Sequence, residues 1–148
     1  MTYQKEFPDF PPDDMPALPE GFEDTSWHQD ICPSYSDGMT LIYIDYRDFA
    51  LREFEGTYPR FNVQPMRDGI EVTGDGGLQT DDWEEVLAYI ENARIARMMQ
   101  AGGYYILTDL DEPRQTCFHC MQGNTRIGIA YTRADAVALI ERHAAAAP

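Results

Sequence analysis

Lysine is nearly missing from this 148-residue chain: Lys5 is the single one, and 11 lysines plus arginines face 26 acids for a net charge of −15. A surface this poor in cations has little with which to neutralise phosphates, which excludes direct nucleic-acid binding. Docking on an anionic membrane is disfavoured for the same reason. Cysteine is scarce too. Cys32, Cys117 and Cys120 are an odd and small set, which fits a reducing compartment better than a disulfide framework. No apolar run approaches the ~20 residues of a membrane-spanning helix. The first residues, Met1 to Glu6, lack a basic stretch followed by an apolar one, so no signal peptide is expected and the chain reads as cytoplasmic. Nucleophile-elbow, P-loop and dinucleotide fingerprints are also missing, which points away from catalysis.

What is present suits a globular protein. Apolar residues make up 43% and aromatics 12% of the chain, enough to build one sizeable core. The acids are unevenly placed. Residues 1–38 hold nine acids against Lys5, residues 39–101 hold twelve against six arginines, and residues 102–148 come to −1.

Three segments emerge. Residues 1–38 carry six of the ten prolines, at 8, 11, 12, 16, 19 and 33. Proline fixes φ and removes a donor, so an extended, Pro-rich arm is expected, with neither helix nor central strand. Phe7, Phe10, Met15, Leu18, Phe22, Trp27, Ile31 and Tyr35 punctuate it, too many large apolar groups for a solvated tail.

Residues 39–101 read as three strands and a helix. Strands are expected at 39–46, at 60–64 (ended or put at an edge by Pro65) and at 70–73 after the Asp68-Gly69 turn. A loop at 74–81 follows. The helix opens on Asp82, which should accept from the Glu85 amide while Glu85 reaches back, and Gly102-Gly103 stops it. Residues 102–148 repeat the order, with strands at 104–110, 116–121 and 126–131 and a helix capped by Thr132. Leu87-Ala88-Tyr89-Ile90-Glu91 lies over Val137-Ala138-Leu139-Ile140-Glu141 at a 50-residue offset, so the reading is α+β with two tandem, duplicated βββα units. Residues 39–148 would form a single globular domain of antiparallel sheet packed by two helices, with the aromatic arm over the sheet's open face.

Candidate chemistry gathers in two places. Trp27, His28, Asp30 and Cys32 form the densest cluster of unusual residues and the candidate binding site, with Trp27 read first as a plug locking the arm down and second as an interface anchor. His28, Cys32, Cys117 and Cys120 would supply a His-Cys₃ shell for zinc. Cys117-Phe118-His119-Cys120 falls in a strand, however, where residues three apart face opposite ways, so two buried thiols are the simpler reading and no cofactor is expected. A redox role would need a helix N-terminus that a strand does not offer. Cys32 or Cys117 with His28, His119 or His143 would make a thiol–imidazole pair if the fold joined them. Gly74 to Gly77 with Asp81 and Asp82 lacks the alternating oxygen ligands of a calcium loop.

Three functions remain in play. The first is a non-catalytic binding or regulatory module with a protein partner, basic in character. The second is an acidic inhibitor that imitates nucleic acid on a DNA-binding protein. The third is a small zinc protein or cysteine-dependent enzyme.

Overall fold

The computed structural model describes residues 2–53, 57–72, 76–111 and 115–148. Within these the chain is α+β, with two antiparallel sheets and three α-helices. It divides into two compact units, Met1–Ile90 and Glu91–Pro148. No described helix is long and apolar enough to cross a membrane.

The first unit opens with structure where an extended arm is expected. Helix α1 (Tyr3–Glu6) makes one turn ahead of the first proline, and Pro12–Asp14 forms a 3-10 turn with Pro12 at its first position, where no amide is missed. Strands β1 (Glu23–Asp24) and β2 (Ser34–Ser36) follow. β2 lies inside the sheet, between β1 and the next strand. Pro33 precedes β2, so its lack of a donor costs the ladder nothing, while its carbonyl accepts from Ile44 at 2.9 Å.

The sheet continues through β3 (Thr40–Ile44), β4 (Phe61–Arg67), β5 (Ile70–Glu71) and β6 (Leu78–Thr80). β4 is central, pairing β3 on one side and both β6 and β5 on the other. Pro65 therefore sits inside a strand, contrary to its expected role as a terminator. It occupies the gap where β4 changes partners, between the β6 pairing that ends at Val63 and the β5 pairing that begins at Met66. The strand expected at 70–73 shrinks to the two-residue β5, reached through Asp68 (φ 54°) and Gly69 (φ 76°). The strand that leads into the helix is β6, from the segment read as loop. Gly77 permits its approach, since a Cβ there would lie 2.9 Å from the Val63 carbonyl oxygen. Thr73 of the expected strand, with Gly74 and Asp75 of the expected loop, lies outside the described residues.

Helix α2 (Trp83–Gly102) starts with Asp82 Oδ1 accepting from the Glu84 amide at 2.9 Å. Glu85 bonds the Thr80 hydroxyl, which itself accepts from the Asp82 amide at 3.0 Å, so the expected reciprocal box is replaced by one routed through β6. The core of this unit joins Ile42, Ile44, Phe61, Val63 and Val86 with Tyr3 and Phe10, and Phe7, Met15, Leu18, Phe22 and Trp83 pack against it. The N-terminal aromatics thus share the helix-covered face. The open face, which the sequence assigns to them, is left to other residues.

In the second unit β7 (Tyr104–Asp111), β8 (Gln115–Gln122) and β9 (Thr125–Ala130) form a meander with β8 in the middle. Helix α3 (Arg133–Ala146) is capped by Thr132, whose Oγ1 accepts from the Asp135 amide at 3.1 Å. Tyr104, Cys120, Ala130, Ala136 and Ile140 form the core. Gly128 lets α3 close on β9, because a Cβ would stand 2.5 Å from Leu139 Cδ1. His143, in the last turn of α3, meets the Tyr104 hydroxyl at 3.0 Å rather than a thiol.

Candidate functional site: a charged cavity on the first sheet

Strand alternation divides the first sheet into two faces. Ile42, Ile44, Phe61 and Val63 point to the core, which leaves Tyr43, Asn62 and Gln79, with Asp45 and Arg60 at the strand ends, on the other face. These residues floor a cavity of about 410 Å³. Two irregular segments wall it: Gln29 to Cys32 on one side, and Arg52, Tyr58 and Pro59 on the other.

Each wall has a local cause. In the first, the Ser26 hydroxyl bonds the Ser34 amide at 3.1 Å, and the Asp30 amide bonds the Trp27 carbonyl at 2.9 Å. That closes a tight turn which sets Asp30 and Cys32 over β3. In the second, Arg52 is turned inward and 5% exposed. Its Nε donates to the Tyr46 carbonyl (2.7 Å), Nη1 to the Tyr58 carbonyl (3.2 Å) and to Asp81 (3.4 Å), and Nη2 to the Arg47 carbonyl (3.4 Å). One guanidinium thereby gathers three carbonyls from the described parts of the β3–β4 connection. Asp81 also accepts from the Arg60 amide at 2.9 Å.

The enclosure perturbs the ionisable groups. Burial pushes the Asp45 carboxyl upward, against the Tyr46 amide and the charges of Arg52 and Arg60. Burial likewise raises Asp30, and it lowers Arg60. Tyr43 is pushed up to about 12 by burial and by Glu71 and Asp30, and its hydroxyl lies 3.5 Å from Glu71. Cys32, 2% exposed, is driven well above the usual thiol range by burial and by the nearby Asp45 and Asp30. It stays a thiol at neutral pH, whereas nucleophilic chemistry needs the thiolate.

Of the residues singled out in the sequence, Asp30 and Cys32 line the cavity; Trp27 and His28 do not. Trp27 is 49% exposed and packs against the His28 ring, centroids 4.3 Å apart and planes tilted by 42°, and His28 Nδ1 is 3.4 Å from Glu6. Trp27 is therefore not the plug that pins the N-terminal segment. Phe10 is, at 2% exposure and 5.6 Å from the Tyr3 ring. Cys117 and Cys120 are both buried on β8. Cys120 Sγ meets the Ala136 carbonyl of α3 at 3.5 Å, while Cys117 Sγ lies 3.6 Å from His119 Nε2. The Cys-x-x-Cys spacing thus turns the two sulfurs to opposite faces. Among the described residues no group of three or more His, Cys, Asp or Glu is placed to hold a metal ion.

Sequence reasoning missed Tyr43, Arg52, Arg60, Asn62 and Gln79, and reads Asp45 as an ordinary strand-end acid. The alternation in 39–46 and 60–64 carried a signal for four of these, since it puts Tyr43 with Asp45 and Arg60 with Asn62 on the face opposite the core. Arg52 and Gln79 carried none. No family model, curated protein or solved structure matches the chain.

Proposed function

We propose that this chain is a non-catalytic binding and regulatory module of the cytoplasm, with the cavity on the open face of the first sheet as its ligand site. The observation that carries the reading is the cavity itself: about 410 Å³, floored by sheet side chains and walled by segments held through specific hydrogen bonds. Its size falls in the range of about 300–1,000 Å³ typical of ligand pockets. Burial and the nearby Asp45 and Asp30, which raise the Cys32 thiol, support binding over nucleophilic chemistry.

A fragment set screened by NMR on the full chain tests this. Ligands are expected to converge on the amides of Tyr43, Asn62 and Gln79. Hits scattered over the surface, or conversion of a bound compound into product, would refute it.

A second reading gives the module a basic protein partner, and the half-exposed Trp27 beside Asp30 supports it, since exposed tryptophans often anchor interfaces. Here Trp27→Ala should lower capture of basic proteins without altering fragment binding. The nucleic-acid mimic rests on the −15 charge alone, and failure to compete with DNA for a basic DNA-binding protein would remove it.

Duplication belongs to the same proposal. Apart from β5, inserted between β4 and β6, the elements β3, β4, β6 and α2 follow in the same order, with the same antiparallel pairing, as β7, β8, β9 and α3. Trp83 and Arg133, the first residues of α2 and α3, keep the 50-residue offset of the sequence match.

A further inference from the structure

Asp45 and Arg60 face each other across β3 and β4, and their backbones are joined by a hydrogen bond of 2.8 Å from the Asp45 amide to the Arg60 carbonyl. Opposite charges so placed would ordinarily pair. They do not. Arg60 Nε donates to the Asp45 carbonyl at 3.1 Å and Nη2 to the Asp14 carbonyl, and its Cζ lies 4.8 Å from the centre of the Phe61 ring; among the described residues Nη1 has no hydrogen-bond partner. The Asp45 carboxylate accepts through Oδ1 from the Tyr46 amide at 2.8 Å, and no cation among the described residues forms an ion pair with it. Asp30, in the adjoining wall, likewise has no ion-pair partner among them. Arg52, the other cation of the lining, is committed to three carbonyls and Asp81.

The lining therefore offers one guanidinium with free donors and two carboxyl groups with free acceptor capacity. A purely anionic ligand would use Arg60 and leave the free acceptor capacity of both carboxyl groups unfilled. A purely cationic one would do the reverse. Enclosed charges are costly unless paired and hydrogen-bonded. Resting on the binding reading above, we infer that the cavity takes a small zwitterion, the class of free α-amino acids and short peptides, with its carboxylate on Arg60 and its ammonium on Asp45 and Asp30.

The remaining lining agrees. Ile31, Tyr58 and Pro59 supply apolar surface for a side chain, while Gln29, Tyr43, Asn62 and Gln79 supply neutral polar contacts. Burial moves Asp30 and Asp45 upward and Arg60 downward, each toward its neutral form, and a zwitterion would oppose all three shifts.

The test titrates the full chain with the protein amino acids by calorimetry and NMR, then with the N-acetyl and C-amide derivatives of the tightest binder. Loss of either charge is expected to weaken binding about tenfold or more, the scale of a lost charge-assisted hydrogen bond. Arg60→Gln should erase the preference for acid over amide, and Asp45→Asn the preference for free over acetylated amine. Each variant is checked for folding by its melting curve. Derivatives that bind as well as the parent overturn the zwitterion and leave the cavity reading standing. The same follows if amino acids fail while uncharged fragments still perturb Tyr43 and Asn62. If no probe perturbs those residues, both readings fall.

Discussion

The open faces of the two antiparallel sheets differ in cover: the first is walled and polar, the second exposed and largely apolar. In the first unit the face holds Tyr43, Asp45, Arg60, Asn62 and Gln79 beneath two folded connections. In the second it holds Tyr105, Leu107 and Ile129, with Tyr131 just beyond β9, each 39–50% exposed, beside the buried Cys117. The difference follows from the connections. Residues 45–60 separate β3 from β4, long enough to fold over the sheet, whereas β8 and β9 are joined through Gly123 and Asn124. A two-residue hairpin fixes register and covers nothing. A meander plus helix is thus a scaffold in both units, and a polar cavity arises where long connections give the open face its walls.

The largest effect that would break this comparison is expected at Arg52. Arg52→Ala removes the donors that collect the Tyr46, Arg47 and Tyr58 carbonyls, and should cost about 3 kcal/mol in urea unfolding together with loss of ligand binding. The matched change on the second unit's open face, Arg126→Ala, removes an exposed contact to His119 at 3.4 Å and should stay within about 0.5 kcal/mol. Equal effects would mean that the β3–β4 connection is not organised by that side chain.

Next comes the helix cap of the second unit. Thr132→Ala should cost about 1 kcal/mol, read from the urea midpoint, and leave the cavity's ligand affinity unchanged. The first unit has no single equivalent, because its cap is shared between Thr80, Asp82 and Glu85.

The smallest effect has the opposite sign. Burial raises the Asp45 carboxyl above its unfolded value of about 3.9. Between the two values the folded chain binds more protons than the unfolded one, so the contribution of Asp45 to stability rises as pH falls through that window. At neutral pH its ionised form is a cost. Asp45→Asn should therefore melt slightly higher than wild type at neutral pH, and its melting temperature should gain less on mild acidification. A lower melting temperature would show that the carboxylate is paired after all.

The regular elements were legible where the apolar pattern has a period. The alternation at 39–46, 60–64 and 104–131 marks β3, β4 and β7 to β9, and the spacing of Trp83, Val86, Leu87 and Ile90 marks the start of α2. β2 and β6 were not legible, since three residues cannot display a period and each is held by pairing with neighbouring strands. The helical turn at Tyr3–Glu6 was masked by the prolines that follow it. The site was legible only in part. Asp30 and Cys32 stood out by residue type, but their neighbours Asp45 and Arg60 meet them through sheet pairing and a folded connection. Trp27 misled because size alone suggests burial, whereas Phe10 took the interior position.

The buried thiol of Cys32 gives this protein a built-in clock. At 2% exposure that sulfur is shielded in the folded chain, so its rate of modification measures how often its surroundings open. Cys117 and Cys120, enclosed in β8 of the other unit, report a separate opening in the same tube. Residue-by-residue labelling would thus rank the two halves by local lifetime, and a ligand that seats itself beside Cys32 would slow one hand of the clock and leave the other running.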